Sequence, residues 1–532
     1  MPGPLRLTGI AASDGYAAGR MFHVNRGATR YAAKEVPEAE AKALKDAVAE
    51  ASAALADLIA ASPGEAAAIL EFQLAMLEDD ALVAPALEAI QAGVNAHEAW
   101  SAALDGEIAG YESSDDAYFK ARAADLRDIR QRVLRALVGD DELIAPSGAI
   151  LWADDLAPTL FLQTDWSAGG GVALSQGSPA SHVAMLARAR GVPMVVGLGE
   201  RPADYDGQAL LDAEHGHLVL APSEPDLEDF RADAQAYEVA RARAREFLAR
   251  AAATEDGVAV RVHVNIADPA DVDTIDIGHC DGVGLMRTEF LFGETLPDEE
   301  TQYRAYLKVL QWAKLKPVTI RTVDAGGDKP VAGYTVEESN PFLGLRGIRL
   351  SLSRPEIFRV QIRALLRAGV HGNLKVMFPM VAIAGEFRRA REFFVEEATV
   401  LSARGVAHSM PPLGIMVEVP AAALAPEAFA DADFFSIGSN DLTQYVMAAA
   451  RDNGNVAALN DAGNPAVLRL VAEVAAFGRD KGIPVSLCGD AGGDPSAIPA
   501  LLAAGLRDFS VAPAQLAIAK EAIAGVSLEP VP

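Results

Sequence analysis

Eight strand-like runs recur through the C-terminal half of this 532-residue chain, and no other feature constrains its fold as tightly. After a turn signal at Asp256-Gly257 they fall at residues 258–266, 282–286, 318–323, 374–378, 414–419, 433–437, 484–488 and 507–511. Each is short, rich in β-branched or aromatic residues and bounded by turn formers, and helix-compatible stretches separate them. Eightfold strand–helix alternation predicts a (β/α)8 barrel over residues 254–532.

In such a barrel the loops after the strands build the active site. Polar residues stand at those exits: Asn265, then Arg287 and Glu289, then Arg321 and Asp324, then Glu418, Asn440, Asp441 and Cys488, with Arg451 one helix further on. Acids at strand-to-helix turns also cap helices. Convergence of several exits on one mouth favours a binding role instead. Hard oxygen ligands beside an Asn and arginines suit a Mg²⁺ ion that shares a phosphate or carboxylate with the protein.

The chain carries 74 acidic against 46 basic residues, a net charge of −28. That balance argues against nucleic acid or an anionic membrane as partner. No run of 18 apolar residues occurs, and MPGPLRLTGIAA lacks the basic start and apolar stretch of a secretion signal. Only two cysteines are present, Cys280 and Cys488, far apart and outside any CxxC pattern, which argues against a disulfide framework or a zinc site. A cytosolic, reduced enzyme without membrane insertion is expected.

The N-terminal half is organised differently. A short β segment spans residues 5–24; residues 34–138 are helical in pattern, rich in Ala, Leu and Glu; strand-like runs resume at 149–152, 171–174, 193–196 and 216–220. The expectation is an α/β unit (1–30 and 142–222) interrupted by an all-helical insertion (31–141), then a charged linker helix (223–253). Within the α/β unit, Ser181-His182 opens a helix after a Gly/Pro turn. Backbone N–H groups there favour an anion, so His182 alone among nine histidines suits carriage of a phosphoryl group.

GIAASDGYAAGR, MLEDDAL, DAYFKARAADLRDIRQRVL, SHVAMLAR, GVGLMRTEFLF, RTVDAGGDKP, NPFLGLRGIR, VMFPM, GIMVEVPAAA, FFSIGSNDLTQY and SLCGDAGGD together resemble Enzyme I of the bacterial phosphotransferase system, among the phosphoenolpyruvate (PEP)-utilising enzymes. The resemblance spans essentially the whole chain. It implies a multidomain α/β protein: a swivelling phosphohistidine domain, an inserted helical domain that binds an HPr-type carrier, a linker helix and a TIM barrel that binds PEP and forms a homodimer. It implies His182 as the phosphohistidine and Cys488 as the acid that protonates the enolate to pyruvate. Arg287, Arg321, Asn440, Asp441 and Arg451 match residues that hold PEP, with Arg346 and Lys329 in matching motifs; Glu418 and Asp441 match the Mg²⁺ ligands. The reaction implied is transfer of the PEP phosphoryl group to His182 and on to the carrier, the first step of sugar uptake.

Three departures from the family pattern stand out. The lead-in to His182 is Gly177-Ser178-Pro179-Ala180-Ser181, without the usual Arg and Thr; Cys488 is followed by Gly489-Asp490 rather than Gly-Glu; and Asp212-Ala213 replaces Asp-Gly. None removes a reacting atom. A dikinase or synthase would need an ATP-binding domain with a Gly-rich phosphate loop, and a non-catalytic regulator has no use for His182, Glu418, Asp441 and Cys488 together. A sensory domain upstream and fusion to other modules are not expected. For the carrier, exposed Met76 and Leu77 beside Glu78, Asp79 and Asp80, and the run Tyr118-Phe119-Lys120-Ala121-Arg122, are the expected docking surface.

Overall fold

The computed structural model describes residues 4–24, 31–34, 36–61, 65–112, 117–139, 145–177, 181–199, 205–292, 296–327, 331, 333–336, 338–450, 456 and 459–528. The chain forms two compact units, Met1–Val239 and Ala240–Pro532.

The first unit is built on an eight-stranded sheet. Its strands are β1 (Leu5–Thr8), β2 (Ile10–Ser13), β3 (Tyr16–His23), β4 (Ile150–Ala153), β5 (Gly171–Leu174), β6 (Met194–Val196), β7 (Gln208–Asp212) and β8 (His217–Leu220). They lie in the order β1-β8-β7-β3-β4-β5-β6-β2, with β3, β4, β5 and β6 mutually parallel and the outer pairs antiparallel. Between β3 and β4 the chain leaves the sheet for five helices: α1 (Pro37–Ala61), α2 (Glu65–Leu77), α3 (Asp80–Gln91), α4 (Ala96–Glu112) and α5 (Ala117–Val138). After β4 come α6 (Pro158–Gln163), α7 (His182–Arg190) and α8 (Glu224–Arg245).

Alternation along β4 divides the packing between two faces. Leu151 and Ala153 join Leu44, Leu55, Trp100 and Leu126 of the helices in one core, while Ile150 and Trp152 join Leu211 and Leu218 on the opposite face. The helical insertion thus shares a core with one face of the sheet. Strand β7 went unseen in sequence because QALLD carries no β-branched residue and reads as helix. Tyr16 of β3 packs edge-on against Phe230 and Tyr237 of α8, at centroid distances of 5.4 and 5.5 Å.

The second unit is a closed barrel of eight parallel strands, as the alternation predicts: β9 (Arg261–Ile266), β10 (Val283–Met286), β11 (Pro317–Arg321), β12 (Asn373–Phe378), β13 (Leu413–Val417), β14 (Phe435–Ile437), β15 (Val485–Leu487) and β16 (Asp508–Val511). The helices are α9 (Glu299–Ala313), α10 (Ile348–Ser353), α11 (Pro355–Ala368), α12 (Ala384–Ala403), α13 (Pro420–Leu424), α14 (Ser439–Met447), α15 (Pro465–Lys481), α16 (Ile498–Ala503) and α17 (Leu516–Ala524). Their apolar faces and the outward residues of the strands make one continuous core, from Val262 and Ile320 to Phe378, Phe394 and Phe435. Leu285, Met377, Met416, Phe434 and Cys488 form a separate cluster. Asp256-Gly257 makes a tight turn that pairs Ala259 with Ala253, so the first strand begins at Arg261 rather than at 258.

Candidate active site

The C-terminal ends of the barrel strands gather an alternating chain of acids and arginines. Arg321, the last residue of β11, is 4% exposed; its Nη2 lies 3.1 Å from Glu289 Oε2 and its Nη1 3.4 Å from Asp324 Oδ2. Arg346, on the loop before α10, is fully buried. Its Nε and Nη2 donate to the two oxygens of Asp324 at 3.0 and 2.9 Å, and its Nη1 and Nη2 donate to those of Asp441 at 2.9 and 3.2 Å. Burial works against both guanidinium charges, but the surrounding carboxylates outweigh it and push both pKa values up. Gly347 permits this approach: at φ +57° its missing Cβ would sit 2.9 Å from Met380 Cβ and 3.2 Å from Asp324 Oδ1.

Glu418 follows β13 and is 1% exposed. Burial, then the Asp441 and Asp324 carboxylates, push its carboxyl up to about 8, while Arg321 and Arg346 pull the other way. Its Oε1 accepts a 2.6 Å hydrogen bond from the backbone N–H of Met380, which holds the left-handed conformation at φ +57°. A buried non-glycine residue in that region costs about 1–2 kcal/mol. The strain therefore supports the aim of that N–H at Glu418. Buried carboxylates in excess of the local cations are the condition a divalent ion relieves. Among the described residues no three of His, Cys, Asp and Glu form a closed cage. Two protein carboxylates with open positions fit Mg²⁺, which keeps waters and takes substrate oxygens.

Asn440 and Asp441 open α14, after β14. The Asn440 amide is fixed from both sides: its Nδ2 donates to Asp490 Oδ2 at 2.8 Å, and its Oδ1 accepts from the Asp490 N–H at 3.0 Å. The aspartate at 490 thus still reaches a neighbour at the mouth. Cys488, just past β15, is 3% exposed, and burial is the main force pushing its thiol up to about 11, so at neutral pH it carries its proton. Its Sγ lies 3.6 Å from the Ile437 carbonyl. Asn265 Nδ2 donates to the Cys488 carbonyl at 3.3 Å. Arg287, exposed after β10, and Arg321 both lie within electrostatic reach of the thiol.

In the first unit His182 is the first residue of α7, and the Ser181 side chain caps that helix by accepting from the Ala184 N–H at 3.3 Å. Serine alone supplies this cap. Lys329, Arg451 and residues 178–180 lie outside the described residues, as do the side chains of Tyr118–Arg122. Leu77 is 2% exposed and Met76 is half-buried against the helical core, correcting the expectation of two exposed apolar anchors. Packing against the helical core turns Leu77 fully and Met76 partly inward, while Glu78 and Asp79, just past the end of α2, are exposed. Arg346, expected among the residues that hold PEP, donates to Asp324 and Asp441. Asp324 and Glu289, polar exits in sequence, are the residues that hold the arginines in place.

The sequence matches the family described as PEP-utilising enzyme, N-terminal, over residues 8–122, the mobile domain of PEP-utilising enzymes over 145–216, and their PEP-binding domain over 241–528. Over 524 residues it is 39% identical to the phosphoenolpyruvate-protein phosphotransferase of Bacillus sp. (strain S) and 40% identical to that of Geobacillus stearothermophilus, covering 95% of this chain and 90% of each relative. The Priestia megaterium protein of the same name is 38% identical over 539 residues, 98% of this chain and 94% of the relative. Barrel, mobile domain and the buried acid–arginine chain at the mouth define a PEP-utilising enzyme. Within that class the chain belongs to the phosphoenolpyruvate-protein phosphotransferase family, Enzyme I of the bacterial phosphotransferase system. No helix among the described residues is long and apolar enough to cross a membrane.

Proposed function

We propose that the chain takes the phosphoryl group of PEP onto His182, releases pyruvate, and passes the group to a histidine of an HPr-type carrier, the first step of sugar uptake by the phosphotransferase system. The observation that carries this reading is the buried chain Glu289–Arg321–Asp324–Arg346–Asp441 at the mouth of a PEP-binding barrel. Arg287, Arg321 and Asn440 hold the phosphoryl and carboxylate oxygens, and forked guanidinium donors spread the charge of a loose transition state. Lys329 and Arg451 belong to the same binding set by their motifs. Arg346 acts one layer below as a positioning residue, aligning Asp441 and Asp324. Mg²⁺, when bound through Glu418 and Asp441, neutralises further charge on the substrate.

The imidazole of His182 attacks phosphorus as the bond to the enol oxygen breaks. The electron pair left on that oxygen returns through the enolate, whose methylene carbon takes the Cys488 proton, giving pyruvate; water reprotonates the thiolate. A thiol pushed up to about 11 is a poor nucleophile at neutral pH but remains an available acid.

Within this proposal residues 1–30 and 142–222 form the phosphohistidine domain, 31–141 the carrier-binding insertion, 223–253 the hinge and 254–532 the barrel. His182 meets the barrel in one half-reaction and the carrier in the other, so the phosphohistidine domain moves between them. The barrel also pairs with a second copy, a reading supported by the exposed Leu343, Ile383 and Leu424. PEP as donor assigns the reaction to the cytoplasm. Incubation with PEP, Mg²⁺ and a purified HPr-type carrier should release one pyruvate per carrier phosphorylated. Pyruvate release without carrier phosphorylation would remove the second half of the proposal.

A further inference from the structure

Alternation along β14 and β15 sends Phe435, Ile437 and Leu487 outward into the main core, so Ser436, Ser486 and Cys488 point into the barrel. Barrel interiors are ordinarily filled by branched aliphatic side chains. Here Leu285, Met377, Met416 and Phe434 pack together with Cys488, but beside them β14, β15, β16 and β9 contribute three hydroxyls and an amide: Ser436, Ser486, Ser510 and Asn265. Two of these groups hold Cys488 in place. Ser510 Oγ donates to Asn265 Oδ1 at 2.7 Å, and the same amide donates to the Cys488 carbonyl at 3.3 Å.

The other two make a line. Ser486 Oγ donates to Ser436 Oγ at 3.1 Å, with the Phe435 carbonyl a longer alternative at 3.4 Å, and the Ser436 hydroxyl in turn hydrogen-bonds the Cys488 sulfur. Ser436 is fully buried and Cys488 nearly so. Ser486 is only half-buried, and it opens on a cavity of about 30 Å³ at the N-terminal end of the barrel, shared with His263, Thr319 and Asp508. His263 Nδ1 is buried there without a partner among the described residues. Such a nitrogen calls for water, and the cavity is large enough to hold it. The line of hydroxyls therefore joins the thiol at the mouth to water at the opposite end.

We propose that Ser436 and Ser486 form a proton relay that recharges Cys488 from the N-terminal end of the barrel. This rests on Cys488 as the acid of the proposed reaction. Once Cys488 has given its proton to the enolate carbon, its thiolate takes one from Ser436 Oγ. Ser436 takes one from Ser486 Oγ, and Ser486 takes one from water, which leaves hydroxide at that end. The shift is concerted: every O–H bond that breaks is replaced by one that forms, and no alkoxide persists. Both hydroxyls already donate in this sense. The relay lets the mouth exclude water while the phosphoryl group moves there, because the replacement proton arrives from behind.

Valine and threonine share a shape, but only threonine keeps a hydroxyl, so Ser486→Val and Ser486→Thr separate the relay from packing. Pyruvate release by the full-length protein is followed from the first turnover onward, with PEP, Mg²⁺ and excess HPr-type carrier. Ser486→Val should release the first pyruvate per chain at the unaltered rate, because Cys488 starts protonated, and the later ones about tenfold or more slowly. Ser486→Thr should restore the later turnovers. The ultraviolet absorbance of a thiolate should build up during turnover of Ser486→Val and not of Ser486→Thr. Cys488→Ala should lose the first turnover as well. Uniform turnover in Ser486→Val, equal slowing in both variants, or slowing without a thiolate signal would each overturn the relay and leave Cys488 as the acid. A full first turnover in Cys488→Ala would remove the acid itself, and the relay with it.

Discussion

Arg346 grips Asp441 with two nitrogens, at 2.9 and 3.2 Å, while its other donors hold Asp324 at 3.0 and 2.9 Å. One guanidinium thus fixes two buried acids that arrive from opposite parts of the barrel. Removing one partner from a buried pair strands the other's charge, at a cost of about 3–5 kcal/mol. Arg346→Leu should therefore lower the barrel's melting temperature and raise the Mg²⁺ concentration for half-maximal self-phosphorylation. Arg346→Lys should rescue little, because one ammonium cannot serve two carboxylates in two-point contact. Calorimetry and a Mg²⁺ titration together check this; unchanged Mg²⁺ dependence would remove the positioning role.

Glu418 gives the metal-free protein a pH signature. Its carboxyl is pushed up to about 8, by burial first and then by Asp441 and Asp324. With the folded value above an unfolded one of about 4.3, its contribution to stability is complete below the unfolded value and is lost as pH rises through the folded one. Metal-free protein should therefore melt lower at about pH 9 than at about pH 7, and Mg²⁺ should restore the loss. Glu418→Gln, which does not ionise, should flatten that dependence. Scanning calorimetry in chelator reads the effect, and a flat profile in the unaltered protein would contradict the burial assigned to Glu418.

Cys488 should behave as an acid and not as a reactive thiol. With its pKa pushed up to about 11, alkylation should be slow at neutral pH and rise steeply only as the solution approaches that value. Cys488→Ala should lower pyruvate formation about a hundredfold or more, the usual weight of a general acid. Rapid modification at neutral pH, or full turnover in the alanine variant, would count against it.

The barrel was legible because buried parallel strands read as short apolar runs between Gly, Pro and charged punctuation. Strand β7 was not, since Ala209, Leu210 and Leu211 carry no strand signature. At the site, the strand-end positions of Arg321, Glu418, Asn440 and Asp441 follow from the periodicity itself. The clamp that Arg346 makes was hidden, because Asp324 and Asp441 lie 22 and 95 residues from it in sequence and meet only when the barrel closes. Leu77 was misplaced for a related reason: Met76 and Leu77 sit at the end of α2, and only packing against the rest of the helical core decides which way each turns.

Carrier docking is the next expectation, now resting on charge. Glu78 and Asp79 remain exposed, but Asp79 also caps α3 by accepting from the Ala81 N–H at 2.9 Å. Glu78→Lys with Asp79→Asn alters the surface charge and keeps the cap, avoiding a loss of about 1 kcal/mol from uncapping. Transfer to the carrier should slow through the association rate, more at low salt, with self-phosphorylation unchanged. Stopped-flow transfer at two ionic strengths separates these outcomes; equal loss in both half-reactions would place the docking surface elsewhere.

The central claim is that His182 carries the phosphoryl group. Incubation with ³²P-labelled PEP and Mg²⁺, followed by acid and base treatment and peptide mapping, tests it most directly. The account predicts one acid-labile, base-stable label per chain, on the peptide containing His182, and none in His182→Ala that still binds PEP. Acid-labile label retained by the His182→Ala protein would contradict it.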